Sequence, residues 1–284
     1  MLATHVDPAK HQPEHADGVA YQIADGLNTQ PTHDSITGRP HNWATENTRP
    51  YGQLATWTVD NLDRIDERVL SRPSDCIRKL SINSKFMLWA HQWHLYVHGA
   101  HVATCRMVLI QGNKNEIINT WVFPKDPRSC PVFAAELIAT AGAPRLTFID
   151  IQTPVMEAKI EAIRIKTFAL RQSYANILCD ETPPSWAISD SQGGYVFSRQ
   201  LSDIAFSEIQ SCYKNYLTTN LKCFLADTGS ARTTSSAALL LAQKELHDYQ
   251  HHHMDNSPGN TFLSKLFGAD WTNDFLRTFL FTVA

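Results

Sequence analysis

Residues 101–152 read HVATCRMVLIQGNKNEIINTWVFPKDPRSCPVFAAELIATAGAPRLTFIDIQ, and this stretch decides the fold. Runs rich in β-branched, aliphatic and aromatic residues (His101–Gln111, Glu116–Phe123, Pro131–Thr140 and Arg145–Gln152) alternate with turn chemistry. The breaks are Gly112-Asn113-Lys114-Asn115, Pro124-Lys125-Asp126-Pro127 and Ala141-Gly142-Ala143-Pro144. Upstream, Trp89–His98 adds a further strand through His98-Gly99-Ala100. Connections this short suit antiparallel neighbours, because a parallel pair needs a crossover of about a dozen residues or more. Strands in an antiparallel meander are therefore expected between Ile77 and Thr153.

Helical spacing flanks the meander. Val59, Leu62, Ile65, Val69 and Leu70 predict a short amphipathic helix over Thr58–Ser71, ended by Pro73. Ile160, Ile163, Phe168, Leu170 and Ile177 predict another within Val155–Leu178. Asp203–Leu225 and Ser235–His253 read as two more. Ser257-Pro258 is an N-cap with proline at the first helical position, Gly268 suits the far end of that helix, and a last helix covers Trp271–Phe281. The class is α/β, a central antiparallel sheet covered by helices. Residues 1–54, rich in His, Pro, Asn, Thr and Asp, are expected to form an irregular polar arm, with one domain over 55–284.

Composition narrows the function. The 284 residues carry 25 Lys+Arg against 28 Asp+Glu, a formal charge of −3, which argues against a dedicated nucleic-acid binder. No apolar run approaches the roughly 20 residues of a membrane span. The six cysteines are scattered with no C-x-x-C pair, as expected of reduced thiols in a cytosol-like compartment. The first 49 residues lack the apolar core of a secretory signal and contain several acids, unlike a transit peptide. The expected location is the cytoplasm, or the plastid stroma for a mature chain of a plastid-bearing source, and the expected state is a monomer.

Few constellations point to chemistry. His91, His94, His98 and His101 cluster in sequence and His251-His252-His253 are contiguous. No carboxylate or Cys stands at complementary spacing, so surface or hydrogen-bonded histidines are expected and no metal site. Nucleophile-elbow, Walker and dinucleotide motifs are absent. Three polar residues interrupt apolar strands: Asn119, Glu136 and Asp150. A carboxyl facing a dry sheet surface has its pKa raised and can hold a proton near neutral pH. Equally, each could face solvent or pair with an arginine such as Arg106.

The run Asn119-Thr-Trp-Val-Phe-Pro124, followed by Pro131-Val-Phe-Ala-Ala-Glu136-Leu-Ile and Phe148-Ile-Asp-Ile-Gln-Thr-Pro154, resembles the ferredoxin-dependent bilin reductases. Thr182-Pro-Pro-Ser-Trp186, Tyr195-Val-Phe197 and the ending from Asn256 to Phe281 are similar to the same family, so the resemblance covers roughly residues 80–284 in order. It implies a three-layer α/β/α sandwich with a bilin between the sheet and the C-terminal helices. It also implies reduction of biliverdin or dihydrobiliverdin by single electrons from reduced 2Fe–2S ferredoxin, with no bound cofactor and no metal. Protons then come from side chains and water around a bilin radical.

By position, Glu136 stands where that family usually has a catalytic aspartate. Asn119 matches the phycoerythrobilin and phytochromobilin formers rather than the phycocyanobilin formers, which carry histidine there. Ser257 stands where relatives similar to phytochromobilin synthase have aspartate, and Asp255 is the nearby substitute if its loop turns inward. The resemblance thus implies Glu136, Asn119 and Asp255 as catalytic, with Arg106, Ser257, Asn256 and Phe262 contacting substrate. Propionate contacts from Arg106, Lys166 or Arg171 and a ferredoxin face from Lys214, Lys222, Lys244, Lys265 and Arg277 are expected on the same basis. Alternatives are reduction of another open-chain tetrapyrrole, as in red chlorophyll catabolite reductase, and a bilin-binding protein without chemistry.

Overall fold

Strands apolar at successive positions, and not only at alternate ones, must be covered on both sides, and the middle strands of this sheet are. The computed structural model of the chain describes residues 49–62, 64–128, 130–155, 160–178, 182–199, 206–226, 236–257 and 259–282. The elements in order are α1 (Pro50–Asn61), β1 (Val69–Leu80), β2 (Phe86–Val97), β3 (Ala100–Gly112), β4 (Asn115–Pro124), β5 (Val132–Thr140) and β6 (Ala143–Gln152). Then come α2 (Ile160–Ser173), a 3-10 turn (Ala175–Ile177), α3 (Ser185–Ile188), β7 (Val196–Arg199), α4 (Phe206–Ala226), α5 (Ser236–Asn256), α6 (Gly259–Phe267), α7 (Ala269–Phe275) and a π-helical turn (Leu276–Leu280). The seven strands form one sheet in sequence order, every neighbour antiparallel.

Alternation sorts the side chains into two layers. Cys105, Met107, Leu109, Ile118, Val122, Phe133, Leu137 and Ile149 pack with Tyr51 and Leu54 of α1, Ile163 of α2 and Tyr213, Tyr216 and Leu221 of α4. The intervening Val108, Ile110, Trp121, Phe123 and Ala134 pack with Leu246 and Tyr249 of α5, Leu263 of α6 and Phe275 of α7. This is the α/β fold expected, with helices on both faces. Burial of a ring such as Phe275, 1% exposed, contributes about 2–3 kcal/mol.

The amino-terminal part departs from expectation. The helix ends at Asn61, and Val69 and Leu70 begin β1 instead of closing a helix at Ser71. Strand β1 lies at the sheet edge with little alternation in its burial, so no period marked it. Pro73 is accommodated there because the register shifts between Pro73 and Asp75 and an edge strand can spare a donor. The expected division at 54/55 falls inside α1, whose Tyr51 and Leu54 are core residues. Residues 1–48 and Pro258 lie outside the described residues. Strand β7 closes the opposite edge on β6.

The C-terminal layer is fastened at two points. The Ile82 N–H donates to Leu266 O at 2.8 Å, tying α6 to the β1–β2 turn. Arg106, 1% exposed, donates from Nε to Gln92 Oε1 at 2.7 Å and from Nη1 to Leu280 O at 3.2 Å and Thr282 O at 2.8 Å. Its guanidinium also lies 5.4 Å from the Phe123 ring centre. Truncating it leaves those acceptors buried without that donor, so Arg106→Met is expected to cost about 2–3 kcal/mol in urea unfolding. Amides of residues 276–282 should lose hydrogen-exchange protection first, and unchanged stability and protection would show that this tether contributes nothing.

Candidate active site

Between the sheet and the C-terminal layer lies a cavity of about 420 Å³. Its floor follows from strand register. Val108, Asn119, Glu136, Phe148 and Phe197 are successive cross-strand partners in one row over β3–β7. The next row is Ile110, Ile117, Ile138, Leu146 and Arg199. All ten line the cavity. Opposite them stand His253 at the end of α5, then Ser257, Asn260, Phe262 and Leu263, with Phe275, Leu276, Leu280 and Phe281 completing the wall.

Asn119 and Glu136 face each other directly on β4 and β5, which places their β-carbons roughly 5 Å apart. The Glu136 carboxyl has no hydrogen bond or ion pair among the described residues, and burial raises its pKa above the usual carboxylate range. Asn119 Oδ1 and, two residues on, Trp121 Nε1 are buried without hydrogen-bond partners among the described residues. The floor therefore offers an acceptor, a donor and one carboxyl of raised pKa in a chamber that is mostly apolar. Polar groups left this way are costly unless something fills the space.

The sequence-derived set divides. Glu136, Asn119, Ser257 and Phe262 come together on the cavity. Asp255, Asn256 and Arg106 are not among its lining residues. Helix α5 continues through Asn256, and two residues at about 100° each turn Asp255 to the side opposite His253. Asp255 and Asn256 are accordingly exposed, and Asn256 Nδ2 donates to His252 O at 2.8 Å. Arg106 is committed to the C-terminal carbonyls. Ser257 Oγ accepts the Gly259 N–H at 3.2 Å, a capping contact. Arg171 donates to Tyr195 O at 3.0 Å, and neither it nor Lys166 lines the cavity.

Two lining residues escaped the sequence reading. His253 is 2% exposed, although the triple-His run suggested a polar surface. The spacing Leu246, Tyr249, Gln250, His253, Met254 is the buried face of α5 and carried the signal. Burial lowers the pKa of His253 to about 3. Arg199 stands exposed at the rim, 5.4 Å from the Phe197 ring centre, two residues beyond the strand pattern that ended at Phe197. Among the described residues no three His, Cys, Asp or Glu side chains are grouped to hold a metal ion. No helix among them is long and apolar enough to cross a membrane.

Comparison with known proteins fits this geometry. Residues 81–282 match the model of the ferredoxin-dependent bilin reductase family. The chain is 23% identical to the 15,16-dihydrobiliverdin:ferredoxin oxidoreductase of Gloeobacter violaceus, over 62% of this chain and 72% of that one. It is 22% identical to the phycoerythrobilin:ferredoxin oxidoreductase of Nostoc punctiforme, over 60% and 67%. The fold matches the crystal structure of tomato phytochromobilin synthase in complex with biliverdin, with a TM-score of 0.70 at 21% identity, covering 81% of this chain and 82% of that one. A bilin-reducing oxidoreductase is the class that the fold and the match define. The chain belongs to the ferredoxin-dependent bilin reductase family.

One further acid lies on the same sheet face. Asp150 pairs across β5–β6 with Ala134, a floor residue, and is fully buried. Its Oδ1 accepts the Ile151 N–H at 2.8 Å. Burial pushes its pKa from 3.8 up to about 7, and the Ile151 N–H and the polar side chains of Ser191 and Gln152 oppose that only in part. The folded carboxyl thus binds its proton more tightly than the unfolded one. Its contribution to stability is full below about pH 3.8 and is lost as the pH rises through about 7. The loss is on the order of 4 kcal/mol. Asp150→Asn should flatten the fall in stability between pH 4 and 8 measured by urea unfolding; an unchanged slope would remove Asp150 as its source.

Proposed function

We propose that the chain reduces biliverdin, or a dihydrobiliverdin, bound in this cavity. Two electrons arrive singly from reduced 2Fe–2S ferredoxin and two protons are taken up, so that one double bond of the tetrapyrrole is lost in each round. The observation that carries this reading is the Asn119–Glu136 pair on a floor that is otherwise apolar except for Arg199 at its rim. An electron added to a conjugated tetrapyrrole makes it more basic. A carboxyl whose raised pKa keeps it protonated to higher pH is suited to deliver a proton to that radical. Asn119 does not titrate near neutral pH, and its amide orients the bilin or a water. Arg199 at the rim suits a propionate, by charge and by the planar donor fork of a guanidinium.

Ser257 supports a product that stops after one two-electron step, such as 15,16-dihydrobiliverdin. Where relatives similar to phytochromobilin synthase place an acid, this chain has a hydroxyl that accepts a backbone N–H. The basic residues expected to receive ferredoxin do not share one face. Lys214 and Lys222 sit on α4, in the layer across the sheet from the cavity, and Lys244 pairs with Asp248 at 2.6 Å. Lys265 and Arg277, exposed on the cavity side, fit the acidic partner better. Reduced ferredoxin as donor sets the reaction in the cytoplasm or a plastid stroma.

An anaerobic assay with biliverdin and reduced ferredoxin should show a time-dependent blue shift of the bilin absorbance. Glu136→Gln should slow it by about tenfold or more while biliverdin still binds. Unchanged turnover would remove Glu136 from the mechanism. Biliverdin binding without any reduction in the parent protein would favour a carrier, and turnover of red chlorophyll catabolite alone would favour the other open-chain substrate.

A further inference from the structure

His253 occupies a position that the proposed reduction leaves unused. It lines the cavity from the helical wall, opposite the Asn119–Glu136 row, one helical turn before Ser257. Its ring is held on two sides: the Trp121 ring centre lies 5.2 Å away at 63°, and the Tyr249 ring centre 4.4 Å away at 58°. Trp121 rises from β4 two residues from Asn119, so the imidazole is fixed over the polar part of the floor. The neighbouring polar groups of this wall are engaged with protein. Tyr249 Oη donates to Gln152 Oε1, Asn260 Nδ2 donates to Met254 O, and Ser257 Oγ accepts the Gly259 N–H.

We propose that His253 contacts the substrate, donating a hydrogen bond from the helical wall to the carbonyl oxygen of a terminal lactam ring. The proposal rests on the cavity being the bilin site. The chemistry is complementary: a lactam offers a carbonyl acceptor beside an N–H donor, and a neutral imidazole carries one N–H and one lone pair. Burial, together with the neighbouring His252, disfavours the imidazolium, so the ring acts as a fixed dipole and leaves protonation to the carboxyl on the floor. Such a contact fixes which end of the bilin lies over Glu136, and hence which double bond receives the proton. His253 is a specificity-determining residue in this account.

The test compares the parent protein with H253F, which keeps an aromatic ring without a hydrogen bond, and H253Q, which restores an N–H donor. Biliverdin reduction by H253F should fall about tenfold, the loss of roughly one hydrogen bond of 1.4 kcal/mol, or its product ratio should change on chromatography. H253Q should recover to within about threefold of the parent rate with the parent products. Parent-like rate and products in H253F, or a loss in H253Q as deep as in H253F, would overturn the proposal. Histidine-selective 15N NMR of the parent protein decides the matter even where H253F fails to fold. The resonance missing from H253Q should shift when biliverdin is added, and an unmoved resonance in a protein that does reduce biliverdin sinks this proposal alone. A parent protein that neither binds nor reduces biliverdin sinks the bilin reading beneath it.

Discussion

The pleat of the sheet is the constraint from which everything else follows. Through the middle of β2 to β6, away from the register shifts at Leu95/Tyr96 and Ile138/Ala139, successive residues point to opposite sides, and both sides are covered by helices. A one-residue slip of β5 would turn Glu136 into the layer of Phe133, Leu137 and Tyr213, where a carboxyl has no use and a large desolvation cost. The register of β4 on β5 sets Asn119 opposite Glu136, and the register of β5 on β6 sets Phe148 beside them. The site is thus a property of pairing, and its residues need not be close in sequence.

The two layers use that pleat differently. On one side α1 and α4 fill the space with side chains and bury Tyr213 and Tyr216 completely, with their hydroxyls bonded to Thr120 and to Gly194 O. On the other side short helices and a π-helical turn stand over the middle strands and leave a chamber. Low polarity there acts on each titratable group in the direction of its neutral form. It raises Glu136 and Asp150 and lowers His253. Apart from Arg199 at the rim, the titratable groups of this face are thus each biased toward their uncharged forms.

Much of this was legible in the chain. Turns such as Ala141-Gly142, where both residues adopt positive φ, announced the meander, and three polar residues on apolar strands announced the site face. What failed did so for physical reasons. The edge strand β1 buries too little for a period to show, so Val69 and Leu70 looked like the end of a helix. Asp255 looked available because the end of α5 is invisible in sequence, and one more helical turn points it at solvent. Arg106 resembled a substrate anchor, yet its partners are carbonyls near the C-terminus, contacts of more than 170 positions in separation that no local pattern encodes. His253 was hidden in a polar tract whose buried positions only a helical projection reveals.

The central claim is that substrate lies against Glu136 with the acid holding a proton. Infrared difference spectroscopy of the biliverdin-bound against the free protein, with Glu136→Gln as the assignment control, tests it most directly. The account predicts a protonated-carboxyl band that persists to higher pH than that of an ordinary glutamate, moves when biliverdin binds, and disappears in the control. A Glu136 carboxyl that titrates like one in water, or a band indifferent to biliverdin, would contradict it.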